Sequence, residues 1–302
     1  MSQIISQPII SQLIGTVTLP GKIRCMTGLH IGSTDAGYEI GGMENAVIRN
    51  PYDGFPYIPG SSLKGKLRSL LEWFEGSISP SGDPNKVEKK DINIQNNSVY
   101  RIFGAPANLE LPIGPTRLIV RDAFPDQKTR EKMEELEEKQ GLPKVEVKTE
   151  VTLNRITSKA NPRKQERVPE NSCFNFELVY FLYDVGYKEN PSDNTKQITI
   201  SNDIEFIDKI FLAMQLLEES SLGGSGSRGY GQVRFYLGSP IVRNREDYLN
   251  NSLRPQILVH GLELERDDEG NLKNNLVLLS DKNKLKEFIG EIKKALEKKT
   301  TT

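Results

Sequence analysis

Cysteine is nearly missing from this chain: of 302 residues only Cys25 and Cys173 carry a thiol, and they lie far apart. That excludes a disulfide framework and a cysteine-ligated zinc site, and it fits a reducing compartment, the cytoplasm. No apolar run approaches the roughly 18 residues that cross a bilayer. The opening stretch Met1–Gln12 lacks the charged region and cleavage pattern of a leader. The chain therefore reads as neither membrane-bound nor secreted. Excess charge is also absent, with 40 Lys+Arg against 41 Asp+Glu. A uniformly basic coat is excluded, so any polyanion site must be a local patch. No fixed-period repeat is visible, which argues against a solenoid. What is present is 36% hydrophobic residues, enough for a sizeable core in one large domain or two modest ones.

Alternation and β-branching predict strands at Leu13–Met26, Ala46–Arg49, Arg117–Ala123, Val145–Ile156, Cys173–Asp184 and Val233–Leu237. Helical spacing of Leu63, Leu67, Leu70, Leu71 and Phe74 predicts a helix after Pro59-Gly60, capped by Ser61 or Ser62. Gln127–Gln140 reads as a charged helix. A further helix begins near Asn202 and turns Ile204, Ile207, Phe211, Met214 and Leu217 inward. Ser77–Asn97 reads as a surface loop, because it has almost no apolar content. The order strand, helix, strand, insertion, strand, helix, strand is α+β and ferredoxin-like, with one face of the sheet open. Beyond Gly238 a hairpin (Gln256–Leu264 with Asn275–Leu279) and an amphipathic helix (Lys284–Lys298) form an added tail, which covers an edge of its own domain or docks a neighbour.

Three glycine-rich stretches carry the candidate chemistry. Gly60–Leu67 nearly matches a phosphate-binding loop, but Leu67 stands where a magnesium-binding hydroxyl belongs, so nucleotide hydrolysis is discounted. A helix start with Ser61, Lys64, Lys66 and Arg68 still makes an anion cradle, and the alternative is a capped helix with solvated lysines. Gly224-x-Gly226-x-x-Gly229 formally fits a dinucleotide fingerprint. Here a helix precedes it and a strand follows, the reverse of what that fingerprint requires. The loop Gly223–Gly231 instead offers a close backbone approach at Gly224, Ser225 and Gly226, with Arg228 to pair a phosphate and Tyr230 to stack on a base. Its bland alternative is a flexible connection. The third stretch sets His30 beside Asp35, Glu39 and Glu44, where carboxylates suit a hydrated magnesium ion. Lys144–Val168 adds seven basic residues against three acidic ones, a local excess of +4 suited to phosphates.

The stretches TGLHIG, GGMENAVIRNP, PYIPGSSLKGKLRSLLE, RLIVRDAF, EVKTEVTLNRIT with ANPR and ER, and LGGSGSRGYGQVRF run collinearly from Leu13 to Leu237. Together they resemble the RAMP superfamily, and within it the repeated backbone subunits of type III-A CRISPR (Csm) effector complexes. The resemblance implies a modified ferredoxin-like, RNA-recognition-like domain over residues 1–238. A β-hairpin thumb would be inserted at about 123–172, and residues 239–302 would be a C-terminal α/β extension. It implies that copies stack in a helical filament along a guide RNA (crRNA) paired to a complementary target RNA. A large polymerase-like subunit, a small subunit and end-capping RAMP subunits complete such assemblies, away from any membrane. Sequence reading is left to base pairing, so the protein needs only shape and phosphate contacts.

By family position the guide is held by His30, Arg49, Ser61, Lys64, Lys66, Arg68, Arg155, Arg163, Arg167, Gly224, Ser225, Gly226, Arg228 and Tyr230. The resemblance also implies endonucleolytic cutting of the target with Mg²⁺ or Mn²⁺. The essential family aspartate is here Glu44, the expected metal ligand and catalytic acid, with Asp35 and Asp122 as further acids. The extra methylene of Glu44 leaves two alternatives, a cutting subunit and a non-cleaving guide-binding scaffold. A repeat-processing ribonuclease using His30 as general base ranks below both.

Overall fold

A computed structural model describes residues 8–32, 45–79, 81–83, 97–106, 113–141, 144–187, 196–198, 200–249 and 276–300. Its spine is the pairing of two long strands, β1 (Pro8–Cys25) and β6 (Cys173–Tyr187), antiparallel from Pro8 opposite Tyr187 to Arg24 opposite Cys173. β8 (Val233–Leu237) flanks β1, and β2 (Leu118–Val120) flanks β6. The order β8-β1-β6-β2, all antiparallel, is that of a ferredoxin-like sheet, so the fold is α+β as expected.

Two helices close one face. α1 (Gly60–Glu75) buries Leu63, Leu67 and Leu71, and α5 (Ile207–Glu219) buries Ile207, Ile210, Phe211, Met214 and Leu217. They share a core with Val17, Leu19, Ile23, Phe176, Leu178 and Phe235. Burial of each such side chain contributes about 1.5–3 kcal/mol. The helix expected from Asn202 starts at Ile200 and is broken at Phe206, giving a short α4 (Ile200–Glu205) before α5.

The opposite face was expected to be open, and along β1 it is not. Thr16, Thr18 and Lys22, which alternate with the core residues, are 2%, 7% and 3% exposed. The Lys22 ammonium pairs with Asp126 at 2.5 Å, and Thr16 Oγ1 shares a hydrogen bond with the Tyr248 hydroxyl at 2.8 Å. Residues of the insertion and of the tail thus cover polar strand positions whose pattern alone suggested solvent.

The tail joins this body. β9 (Ile241–Asn244) pairs with β1, and β10 (Val277–Leu278) pairs with β8. α7 (Lys282–Thr300) sends Leu285, Phe288, Ile292 and Leu296 into the main core, with Phe288 edge-on to Phe211 at 5.9 Å. The tail thus covers an edge of its own domain, one of the two roles expected for it. The first strand of the expected tail hairpin lies outside the described residues.

An insertion leaves the sheet at β3 (Phe124–Pro125) and returns at β6, where Phe124 faces Asn175 and Pro125 faces Phe174. Its helix α3 (Gln127–Gln140) is capped by the Asp126 carboxylate, which accepts the Thr129 amide at 2.9 Å, and it ends on left-handed Gly141. There follows a separate two-stranded hairpin of β4 (Glu146–Leu153) and β5 (Ala160–Arg167), in the segment expected to hold a thumb. The strand expected at Ala46–Arg49 is only a pair of isolated bridges, Val47 to Gly32 and Arg49 to Pro56.

Candidate nucleic-acid interface

The loop between α5 and β8 is built, not slack. Gly223, Ser225, Gly229 and Gly231 all take positive φ, around a single 3-10 turn at Gly226–Arg228. Added Cβ atoms would meet the His30 carbonyl oxygen at 2.2 Å from Gly223 and that of Leu222 at 2.0 Å from Gly231, so both glycines are required by close backbone approach. The loop is docked on the Thr27–His30 stretch. The Gly224 amide donates to His30 O at 2.8 Å, Gly231 donates to Gly28 O at 2.9 Å, and Gln232 donates to Thr27 Oγ1 at 3.1 Å. The amides of Gly224 and Gly231 therefore dock the loop, and that of Gly229 closes its turn on Gly226 O at 3.0 Å. Gly223, Gly224 and the tip, Ser227, Arg228 and Gly229, are exposed.

The base of the β4–β5 hairpin completes this joint. His30 Nδ1 lies 2.8 Å from the Glu166 carbonyl; because a carbonyl only accepts, Nδ1 carries the proton of that bond. The buried Glu166 carboxylate accepts the Val47 amide at 3.0 Å and pairs with Arg49 at 2.9 Å. Its own amide donates to Asn45 O at 3.1 Å. One side chain thus ties together the His30 stretch, the Asn45–Arg49 segment and the hairpin. Counting Glu166 as one acid in a basic stretch missed that role, because its partners are about 120 positions away in sequence.

Along β4, Glu146, Lys148 and Glu150 occupy alternate positions and meet the loop side of the joint. Arg167 pairs with Glu146 at 2.8 Å, Lys148 Nζ sits 4.7 Å over the Tyr230 ring, and Arg228 pairs with Glu150 at 3.1 Å. Ser225 Oγ accepts from Arg228 at 2.6 Å and from the Gln165 amide at 3.2 Å. Tyr230 is 2% exposed and is also covered by Arg167 at 5.5 Å, so stacking on a base does not fit its position. The ring supports the joint as a buried aromatic between two cations. Burial, and then the neighbouring Glu150 carboxylate, push its phenol above the usual range.

The outer hairpin is bare. Arg155 and Arg163 are exposed there, together with Val151, Leu153 and Ile156, the last 94% exposed. Its turn is held by Asn154 Oδ1, which accepts from the amides of Ile156 and Thr157 at 2.9 Å each.

The start of α1 is different. The expected serine cap is not seen: the helix begins at Gly60, after extended Pro59, with no side-chain cap from the N-cap residue. Instead Asp122 reaches across from the neighbouring chain segment and accepts the Gly60 amide at 2.7 Å. The reciprocal bonds between Ile58 and Ala123, 2.9 Å each, place it there. Asp122, expected as a further catalytic acid, thus works as a helix cap. Arg68 is turned inward, donating to Glu72 at 2.7 Å and to the Gly104 carbonyl at 3.2 Å. Ser61 is exposed, and Lys64 and Lys66 are half-buried. Burial, followed by the nearby Arg68 charge, lowers the Lys64 ammonium below its usual value.

Sequence reading also missed a buried ionic centre behind β2. Arg101 and Arg117 share Asp203, at 2.6 and 3.3 Å, and all three side chains are fully buried. Tyr180 donates its hydroxyl to the Asp203 carbonyl at 2.9 Å.

The expected catalytic residues Asp35 and Glu44 lie outside the described residues. Among the described residues no group of three or more His, Cys, Asp or Glu is placed to hold a metal ion. The Glu166 carboxylate is engaged by Val47 and Arg49 and is no ligand set by itself. Among the described residues no helix is long and apolar enough to cross a membrane.

Comparison with known proteins adds four findings. The model of the RAMP superfamily matches residues 22–234. The protein named CRISPR system Cms endoribonuclease Csm3 from Methanothermobacter thermautotrophicus is 43% identical over 228 residues, covering 72% of this chain and 82% of that one. Its namesake from Streptococcus thermophilus is 38% identical over 219 residues, covering 72% and 86%. The crystal structure of Methanopyrus kandleri Csm3 superposes with a TM-score of 0.53 at 22% identity, over 93% of this chain and 99% of that one, a likeness of fold.

Proposed function

This chain belongs to the RAMP superfamily, and on that premise we propose that it is the repeated backbone subunit of a type III CRISPR ribonucleoprotein. In this role it binds crRNA along its length in the cytoplasm and cuts the paired target RNA at regular intervals. The observation that carries the reading is the single joint where the His30 stretch, Arg49, Arg167 and the Gly224–Tyr230 loop meet at the hairpin base. A rigid joint with an exposed arginine suits a ribose-phosphate backbone held by contour, with base pairing left to read sequence. Arg155 and Arg163 extend the same charge along the hairpin, and Ser61, Lys64 and Lys66 add secondary phosphate contacts from α1. Further copies of this chain, the large and small subunits and end-capping RAMP subunits are its partners in the assembly.

The names of the relatives favour an endoribonuclease over a non-cleaving scaffold. Glu44 is the proposed acid and metal ligand, with Asp35 beside it in the sequence. A Mg²⁺ or Mn²⁺ ion would supply Lewis-acid stabilisation of the charge developing on the phosphate. The test is to assemble the complex on its guide, add matched target RNA with Mg²⁺, and look for regularly spaced fragments. Intact target on a complex that binds normally would remove the enzymatic claim. Glu44→Asp restores the family's shorter side chain and is expected to raise the cutting rate, by up to about 100-fold. Glu44→Ala is expected to abolish it.

A further inference from the structure

We propose that Glu150 is a specificity-determining residue of the guide-RNA site: its carboxylate holds the place of a phosphate on Arg228 until RNA displaces it. The inference rests on the reading of the loop as an RNA site. Arg228 Nε lies 3.1 Å from Glu150 Oε2, and Nη2 donates to Ser225 Oγ at 2.6 Å. Ser225 is itself fixed by Gln165. The guanidinium is therefore aimed before any ligand arrives. It is also 57% exposed while Glu150 is 24% exposed, so an incoming anion can reach the arginine from solvent. The two acceptors compete for one planar fork, since Glu150 and a phosphate both want its charge-assisted donors. A lone small anion gains too little to evict a tethered carboxylate. A polyanion held at neighbouring cations brings its next phosphate in at high effective concentration and does displace it. The carboxylate so favours a continuous backbone over free phosphate or mononucleotides. Displacement also removes one of the ties between β4 and the loop, while Lys148 stays over Tyr230.

The displacement has a signature that simple loss of negative charge lacks. A phosphate that replaces Glu150 on Arg228 keeps the displaced carboxylate beside it, so the guanidinium neutralises the phosphate only in part and little of its condensed cation is released. When the carboxylate is removed, the unopposed guanidinium neutralises the phosphate fully, its condensed cation is released, and the slope of log K against log salt steepens by up to about 0.7 for a single strand. The experiment titrates the full-length protein with a single-stranded RNA lacking self-complementarity, across a range of salt. The wild type is compared with Glu150→Gln, Glu150→Asp, Arg228→Ala and the Glu150→Gln/Arg228→Ala double variant.

Glu150→Gln should bind up to about fivefold tighter at low salt, the scale of an exposed ion pair, with the steeper slope. Glu150→Asp keeps the charge but withdraws it by one methylene and should move the same way by less, so the test survives if the glutamine variant misfolds. In the Arg228→Ala background the glutamine substitution should change neither affinity nor slope. An unchanged slope in both Glu150 variants, or an equal gain with and without Arg228, overturns the inference. Absence of any salt-sensitive RNA affinity in the wild type would instead overturn the reading of the site.

Discussion

At the start of α1 the leading amide is capped and the arginine is turned inward, whereas in the Gly223–Gly231 loop the arginine, though paired with Glu150, still reaches solvent. The first site caps its leading amide with Asp122 and turns Arg68, only 21% exposed, onto Glu72 and a carbonyl. Its glycine serves packing, since a Cβ on Gly60 would lie 2.2 Å from the Val120 carbonyl oxygen. The second uses glycines to thread a docked loop and leaves Arg228 57% exposed. Glycine beside cations is thus an ambiguous sign. Whether it marks a phosphate site depends on which donors the fold has already satisfied.

The sharpest way to break this contrast is Gly60→Ala. The added methyl collides with backbone, so we expect a loss of about 1–3 kcal/mol of stability, visible as a lower Tm, with RNA affinity of the folded protein retained. A normal Tm with weakened RNA binding would reverse the roles of the two sites. Arg228→Ala should do the opposite, lowering RNA affinity about tenfold, or about 1.4 kcal/mol, with little change in Tm. Unchanged affinity in filter binding would remove the loop from the interface. Asp122→Ala should cost about 1 kcal/mol in thermal unfolding, the scale of a lost helix cap, without weakening RNA binding. A drop in affinity there would return Asp122 to the functional site. Lys66→Ala should show the smallest effect, no more than about a twofold loss with a slope shallower by about 0.7. A tenfold loss would make α1 the principal cradle after all.

The sequence yields the elements whose signals are local. Gln127–Gln140 is read to the residue because Asp126 and Gly141 punctuate it, and Val233–Leu237 because Val233, Phe235 and Leu237 alternate on one buried face. The six-residue helix α2 (Ser98–Phe103) escapes, being too short to show a period. The joint is half legible. Its residues His30, Arg49, Arg167 and Arg228 stand out, but the carboxylates that aim the three arginines, Glu166, Glu146 and Glu150, are indistinguishable in sequence from solvated acids. The same holds for Asp122, which caps a helix 62 residues away, and for Asp203, buried between Arg101 and Arg117. Tyr230 is misread for a related reason. An aromatic in a glycine-rich loop looks available for stacking until Lys148 and Arg167 are found to cover it.

The account stands most directly on where the guide touches the chain. Ultraviolet cross-linking of the crRNA-loaded complex, followed by mass spectrometry of the digested protein, should yield RNA-modified peptides from the Gly223–Gly231 loop and from the Glu146–Arg167 hairpin. Adducts confined to other segments, with both of these unmodified, would contradict it.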